Sequence, residues 1–406
     1  MKSMTKSSSQ INWQTKKLEE VCGIELGKTP SRSNKAFWDR DKHTSNVWLS
    51  IADLLNAEGK VISDSKEYIS DKGAKMSKII RKGTLMASFK LTLGRLAFAG
   101  KDLYTNEAIA ALTINNEKEL SKEYLYHYLT FFDWHGAVKG DIKIKGKTLN
   151  KAKLKEIDVL FPPLAEQKRI VKKLDEVFEK VAMAKENAEK NLQNSKELFE
   201  SYLQSVFAKP GKDWEETSLG DAYDVRDGTH DSPRYQKEGF ALVTSKNLKR
   251  DLLNFDKIKY ISEKDYQKIN DRSKVDKGDI LFAMIGTIGN PVVVEVEPNF
   301  AIKNVALFKI PKEQNAYFLK YFLDSKYIID KMMSEAKGTT QKFVGLGYLR
   351  NFKINLPALH EQSVIVKKLD ALSIQTRKLE TIYEQKLADL EELKKSVLQK
   401  AFAGEL

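Results

Sequence analysis

The chain has 406 residues, 41% of them hydrophobic, and a formal net charge of +13 at pH 7. That length accommodates two domains of ordinary size, each with its own core, and no apolar run approaches the ~18 residues a membrane span needs. A single cysteine, Cys22, excludes an internal disulfide, and His43, His127, His135, His230 and His360 show no metal-ligand spacing. The polar start, Met1 to Gln10, lacks the apolar core of a signal peptide. A soluble, cytoplasmic chain with no membrane partner is expected.

The positive charge is unevenly placed. Residues 1–160 carry +9 and residues 211–355 carry +3, while 161–210 and 356–406 are close to neutral. Basic globular stretches suit a polyanionic partner, although many basic chains carry only solvated lysines.

In chain order, short β-like runs at Val47 to Ile51, Thr84 to Phe89 and Ile109 to Ile114 are separated by Gly, Asn, Asp and Ser turns, and Ser121 to Phe132 reads as a helix. Gly140 to Thr148 resembles a phosphate-cradling loop. It has five residues between its glycines instead of four, however, and neither follows a clear strand nor opens a clear helix, so no nucleotide is expected there.

From Glu166 to Phe207 there is no Pro or Gly, which predicts one helix about 63 Å long at ~1.5 Å per residue. Along it Ile170, Leu174, Val177, Val181, Ala184, Ala188, Leu198 and Tyr202 fall on a seam of alternating four- and three-residue steps. Residues 211–355 return to the mixed pattern, with β-like runs at Ala241 to Thr244, Asp279 to Met284, Pro291 to Val296 and Val305 to Ile310, and a helix at Gln314 to Lys331. Neither half has the regular strand-helix alternation of a doubly wound nucleotide-binding sheet. A second long helix is predicted from Glu361 to Phe402, its seam carried by Ile365, Leu369, Leu372, Leu379, Tyr383, Leu390, Leu393 and Val397.

Both long helices open on the same text. PPLAEQKRIVKKLD at residues 162–175 and PALHEQSVIVKKLD at 357–370 share ten of fourteen residues at an offset of 195. Upstream, Trp13, Leu18 and Gly27 match Trp214, Leu219 and Gly228 at an offset of 201. The chain is therefore two copies of one unit, with a period far longer than that of a solenoid or propeller repeat. A long apolar seam needs a partner. The first helix ends where the second globular half begins, so the two helices are expected to pair antiparallel about a pseudo-two-fold axis, with Asn191 near Thr376 and Arg377; otherwise each helix packs on its own domain.

The predicted fold is thus a tandem repeat of mixed α/β (α+β) globular domains, each followed by a long α-helix, the two helices forming an antiparallel coiled coil. The expected boundaries are 1–160 and 211–355 for the globular domains, and 161–210 and 356–406 for the helices.

Polar and basic residues gather in Gly-marked loops of both halves. In the first they are Lys28, Thr29, Ser31, Arg32, Lys90, Thr92, Arg95, Lys143, Lys145 and Lys147; in the second, Thr229, His230, Arg234, Lys246, Asn247, Thr287, Asn290, Lys303, Lys337, Thr339, Gln341 and Lys342. Lys and Arg suit phosphates, which position a protein on DNA, and Arg, Asn and Gln can pair with base edges, which specify sequence. Any one of these residues could equally be a solvated loop side chain. No catalytic constellation is found: Asn290-Pro291 lacks the rest of an Asn-Pro-Pro-aromatic motif, Glu295 and Glu297 have no Lys or His partner, and Cys22 has no His neighbour and is expected in the core.

The doubled entry to the long helices, Pro162-Pro163-Leu164-Ala165-Glu166-Gln167 and Pro357-Ala358-Leu359-His360-Glu361-Gln362, resembles the specificity (S) subunit of type I restriction-modification systems. So do the Trp13 and Trp214 openings, Gly27-Lys28-Thr29-Pro30-Ser31 and Gly338-Thr339-Thr340-Gln341-Lys342. The resemblance covers essentially the whole chain. Two segments depart from the family pattern: Gly146-Lys147-Thr148-Leu149-Asn150, where a Gly-Ser/Thr-Thr-Gln run is usual, and Gly228-Thr229-His230, in place of Gly-x-Thr-Pro.

The resemblance implies two target recognition domains, each reading half of a split double-stranded DNA sequence. It also implies a subunit without catalysis, cofactor or metal of its own. Two methyltransferase (M) subunits would bring S-adenosylmethionine, and restriction (R) subunits would use ATP and Mg. A rod about 60 Å long would set half-site centres one to two DNA turns apart, a turn spanning ~34–36 Å. The competing readings are a coiled-coil scaffold with no DNA role and a self-sufficient methyltransferase or nuclease; the basic first half argues against the former, and the missing catalytic motif against the latter.

Overall fold

A computed structural model describes residues 12–55, 60–138, 142–143, 146–147, 149–249, 251–336 and 342–406. The chain divides into two compact units, Met1–Glu186 with Leu387–Leu406, and Asn187–Lys386. Each long helix therefore contributes one end to each unit.

In the first unit a sheet runs in the order Cys22–Leu26, Ile109–Ile114, Leu85–Ser88, Leu96–Ala99, Val61–Ile62. A smaller one runs Glu67–Tyr68, Val47–Leu49, Tyr104–Thr105. The second unit repeats the plan: Asp224–Asp227, Val305–Lys309, Ile280–Ala283, Gly289–Val293 in the large sheet, and Lys259–Ile261, Phe240–Val243, Phe300–Ile302 in the small one. Each small sheet has one antiparallel and one parallel pairing. In each unit, too, the strand that opens the domain (Gln14–Lys17 or Glu215–Ser218) pairs antiparallel with the strand that closes it, Asp158–Phe161 or Lys353–Leu356.

The expected elements are largely present, and three shift for local reasons. The run at Val47 ends as a strand at Leu49, because Ser50 and Asp53 close a helix-capping contact (Ser50 N–H and Oγ to Asp53 Oδ2, both 2.7 Å) and Ile51–Leu55 turns helical. The predicted Gln314 to Lys331 helix is two, Ala316–Asp324 and Lys326–Glu335, broken at Ser325, whose backbone is extended. The Pro291 strand is Gly289–Val293; it is the edge strand of its sheet, where a residue without an N–H is tolerated. Glu295 and Glu297 lie beyond it, exposed. Cys22 is buried in the core.

The long helices span Leu164–Ala208 and Leu359–Phe402. In the first unit the start of one packs with the end of the other: Ile170, Leu174, Leu398, Ala401 and Phe402 share one core with the sheet and the Lys122–Phe131 helix. Arg169 bonds to the Leu406 carbonyl, and Lys185 pairs with Glu391 at 2.9 Å, so an advance along one helix is a retreat along the other. The second unit mirrors this, with Phe199, Leu203 and Phe207 in one core with Val366 and Leu369. Antiparallel pairing and packing on a domain thus occur together, though the sequence had posed them as alternatives. Aromatic locks close both joints. Phe402 meets Tyr124, Tyr128 and Phe131 at 5.3–5.6 Å, and Phe207 meets Phe318 and Phe322 at 5.5 and 5.4 Å.

The predicted seam drifts. Leu198, Tyr202, Leu379 and Leu393 are exposed, while Phe199, Leu203, Leu398 and Phe402 are buried. A straight helix rotates ~20° per heptad away from a 3.5-residue repeat, enough to move the buried stripe one residue over a few heptads. Thr376 and Ser195 are buried, but each hydroxyl bonds a carbonyl of its own helix (Leu372, 3.0 Å; Asn191, 2.8 Å), and Arg377 pairs with Asp251 instead of Asn191.

The repeated motif is the joint between domain and helix. Gln167 is fully buried; it accepts the Ser121 N–H at 2.8 Å and donates to the carbonyls of Glu119 and Pro162, each at 2.8 Å. Gln362 accepts the Asn315 N–H at 2.9 Å and donates to Gln314 Oε1 and the Pro357 carbonyl. Ser121 and Asn315 are the N-caps of the domain helices, so one amide ties the two helix starts together in each unit. The motif's last residue acts similarly: Asp175 bonds His127 and Lys60, and Asp370 bonds the Tyr321 hydroxyl at 2.5 Å. The Trp214 indole donates to Glu361 at 3.0 Å.

Candidate nucleic-acid interface

Three loops meet at one edge of the large sheet in each unit. In the first, the segment after Cys22–Leu26 lies against the turn before Ile109–Ile114: Gly27 N–H donates to the Ile109 carbonyl (3.2 Å) and Lys28 N–H to that of Thr105 (2.8 Å). A Cβ on Gly27 would lie 2.2 Å from Thr105 Oγ1 and 2.3 Å from two backbone oxygens, so only glycine permits this approach. The tip between Leu85–Ser88 and Leu96–Ala99 joins them through Phe89 N–H to the Ala108 carbonyl (3.1 Å).

Glu107 is the centre of this edge. Burial pushes its carboxyl up, but the Thr29 hydroxyl bonded to it and the Lys90 ammonium nearby outweigh burial and hold it below the usual range. The Arg32 guanidinium is engaged on several sides. Both Nη atoms bond the Glu67 carboxylate (Nη2 to Oε2, 3.0 Å), and its centre lies 4.0 Å from the Trp38 ring and 4.8 Å from that of Trp48. The indoles meet edge to face at 5.1 Å and donate to the Ser31 and Lys28 carbonyls at 3.1 and 3.3 Å. Beside them opens a pocket of about 300 Å³ lined by Arg32, Lys35, Trp38, Arg40, Lys66 and Glu67, among others. Ser31 is exposed and shares a hydrogen bond with Ser33 at 2.9 Å. On the hairpin Arg95 is exposed and Thr92 half-buried, the tip being held by Ser88 Oγ to the Thr92 carbonyl at 2.6 Å.

The second unit builds the same edge from other side chains. Gly228 N–H donates to the Val305 carbonyl (2.9 Å) and Thr229 N–H to that of Ile302 (3.0 Å). His230 stands between Asp227 and Asn304, at 2.8 Å from each; Asp227 is buried and also pairs with Arg272. Lys303 donates to Ser232 Oγ at 2.6 Å. On the hairpin Thr287 is exposed, and Asn290 is half-buried with a φ of 48°. Gly286 N–H donates to the Lys342 carbonyl (3.1 Å) and Val344 N–H to that of Met284 (3.0 Å), the place of Leu149 N–H on Phe89 (3.0 Å) in the first unit. The offset of 195 thus also aligns the hairpins, Thr92 with Thr287 and Gly94 with Gly289.

Arg234 and Lys246 are exposed on their loops, and Lys342 donates to the Met333 carbonyl at 2.8 Å. Asn247 differs from its neighbours: it is 8% exposed, accepts from Thr244 N–H and Oγ1, and donates to the Asn254 carbonyl, so it fastens a turn. Lys143 and Lys147 lie on a short antiparallel pair, Ile142–Lys143 with Gly146–Lys147; their side chains, and Lys145, Lys337, Thr339 and Gln341 altogether, fall outside the described residues. The sequence reading missed Trp38, Trp48, Glu67, Glu107, Asp227, Arg272 and Asn304. Two tryptophans close to a candidate arginine were the available signal; the pairing of Glu67, 35 residues away, was not readable.

A family model described as type I restriction modification DNA specificity domain matches residues 10–193 and again 211–391. The chain belongs to this family. The specificity subunit thus carries two DNA specificity domains in tandem, each with its own loop edge and its own glutamine joint. It is similar to the specificity subunit of the type I restriction enzyme MjaIX of Methanocaldococcus jannaschii, 25% identical over 430 residues, covering 97% of this chain and 94% of that one. The EcoBI specificity subunit of Escherichia coli is 26% identical over 331 residues, 74% of this chain and 69% of its own. The fold is shared with the HsdS subunit from Thermoanaerobacter tengcongensis, with a TM-score of 0.63, 21% identity and 97% of each chain covered. It is also shared with a chain solved in a study of complex assembly and conformational transition of the type I R-M system, with a TM-score of 0.77, 22% identity, and 97% of this chain and 98% of that one covered. Among the described residues no helix is long and apolar enough to cross a membrane.

Proposed function

We propose that the subunit recognises a bipartite double-stranded DNA target, one half-site at the loop edge of each unit, and does no chemistry itself. Methylation and restriction then belong to partners: methyltransferase subunits that bring S-adenosylmethionine and take the target base out of the duplex, and restriction subunits that use ATP and Mg. The observation that carries this reading is the double occurrence of one DNA specificity domain, with the same three loops gathered at the same sheet edge and different side chains on each. One scaffold with two sets of loop residues suits the reading of two different half-sequences. The joints hold the domains to the long helices, whose remaining faces would receive the methyltransferases. A coiled-coil scaffold without a DNA role would have no use for two such edges.

The test is co-expression with a methyltransferase subunit from the same genome and mapping of methylated sites in the cellular DNA. Methylation of a split motif with a fixed gap is expected. A complex that forms but methylates no motif would remove the recognition role. Binding should also weaken steeply with salt, log K falling by ~0.9 per phosphate neutralised for each tenfold rise in salt concentration.

A further inference from the structure

Building on the DNA-recognition reading, we propose that Arg32 reads a guanine in the half-site facing the first unit, and that Glu67, Trp38 and Trp48 hold it in the reading position. A guanidinium has five N–H donors in a planar fork. Glu67 takes two of them, one from each Nη, and leaves Nε–H and the remaining Nη hydrogens for other acceptors. The O6 and N7 of guanine in the major groove are two uncharged acceptors side by side, which such an edge matches.

A phosphate is the other common ligand of arginine, and the surroundings disfavour it. The Glu67 carboxylate already balances the charge of Arg32, and Glu107, ionised at neutral pH, is close enough to act on it electrostatically. A phosphate bonded to Arg32 itself would face those two carboxylates, and Lys35, Arg40 and Lys66, which line the adjoining pocket, are the cations free of Glu67 and better suited to it; a base edge carries no net charge. The stacking matters as well. An arginine loses much side-chain freedom on binding; here the Trp38 and Trp48 rings, at 4.0 and 4.8 Å, restrict it beforehand, which suits a directional contact more than a diffuse one. Among the described residues no other arginine lies over an aromatic ring. The stacked, carboxylate-held arginine is therefore a feature of the first unit; the matching loop of the second presents His230, held by Asn304 from the neighbouring turn, and an exposed Arg234 that lies over no ring.

The test uses the full-length subunit assembled with its methyltransferase. Once the wild-type motif is mapped, affinity is measured for the cognate duplex and for a series with each base pair of the motif replaced in turn. The wild type is expected to discriminate at a guanine in one half-site. Arg32→Lys keeps the charge but not the fork, and should bind the cognate duplex about 5- to 150-fold more weakly while losing preference at that one position. Glu67→Gln should blur the same position and no other. Unchanged affinity and discrimination in Arg32→Lys, or a uniform loss over the whole series, would mark a phosphate contact and overturn the assignment. A motif with no guanine in either half would overturn it too. Failure of the wild type to select any split motif would instead refute DNA recognition itself, so the two failures are distinct. Thermal melting of both variants confirms that the fold is intact.

Discussion

Truncating the buried glutamine of either joint, Gln167→Ala or Gln362→Ala, should destabilise its unit without touching DNA recognition. Gln167 makes three hydrogen bonds, and one of the groups released, the Pro162 carbonyl, belongs to a buried residue; Ser121 and Glu119 lie nearer water and can recover partners there. A buried group left unpaired costs ~1–3 kcal/mol, and the lost side-chain packing adds roughly another 1 kcal/mol. The expected loss is about 2–4 kcal/mol. For a unit of about 200 residues, where 1 kcal/mol corresponds to ~2–4 °C, the midpoint should fall by roughly 4–16 °C. Gln167→Glu should be worse than Gln167→Ala, because a carboxylate keeps the Ser121 N–H but turns an acceptor toward the Glu119 and Pro162 carbonyls. Calorimetry on the full chain reads the midpoints, and duplex binding is measured well below them. A loss under about 0.5 kcal/mol in both units would refute the joint as described. So would weaker DNA binding by a fully folded variant, which would place the motif at the DNA surface.

Acid should loosen the first unit. Burial, with the Lys60 charge adding to it, pushes the His127 imidazole down to about 4. With Nε2–H donating to Asp175, its buried Nδ1 has no partner to meet a second proton. The unfolded chain therefore binds this proton first: the contribution is fully present above the unfolded value near 6.5 and is lost as pH falls toward 4. His127→Phe should flatten the stability profile in that window, and an unchanged profile would count against this account. At the sheet edge, Gly27→Ala and Gly228→Ala each require the loop to move off a carbonyl 2.3 Å away. Each should cut affinity for DNA at least several-fold with a smaller effect on melting, and normal binding by both would separate these loops from the interface.

What the sequence hid has both local and long-range causes. Ser50 and Asp53 lay within sight in the sequence, yet the apolar run Val47-Trp48-Leu49 beside them hid their capping contact. Asn247 has the chemistry of a base reader, but Thr244 and Asn254 occupy its amide. Arg32 was visible as a candidate, whereas its carboxylate partner was not, because pairing across 35 residues depends on how two strands of the small sheet and the loop before them come together.

By itself the sequence determined that the chain is a duplicated unit with a mixed α/β domain and a long helix in each copy. Gaps in Pro and Gly, apolar periodicity and a fixed offset are local or self-comparing signals and need no folded context. Only the tertiary structure decided that each unit takes one end from each long helix, that the motif's glutamine is a joint, and which basic residues stand at the sheet edge already paired with carboxylates. Those properties depend on contacts between residues up to 237 positions apart, such as Arg169 with the Leu406 carbonyl, and on which polar groups burial obliges to find partners.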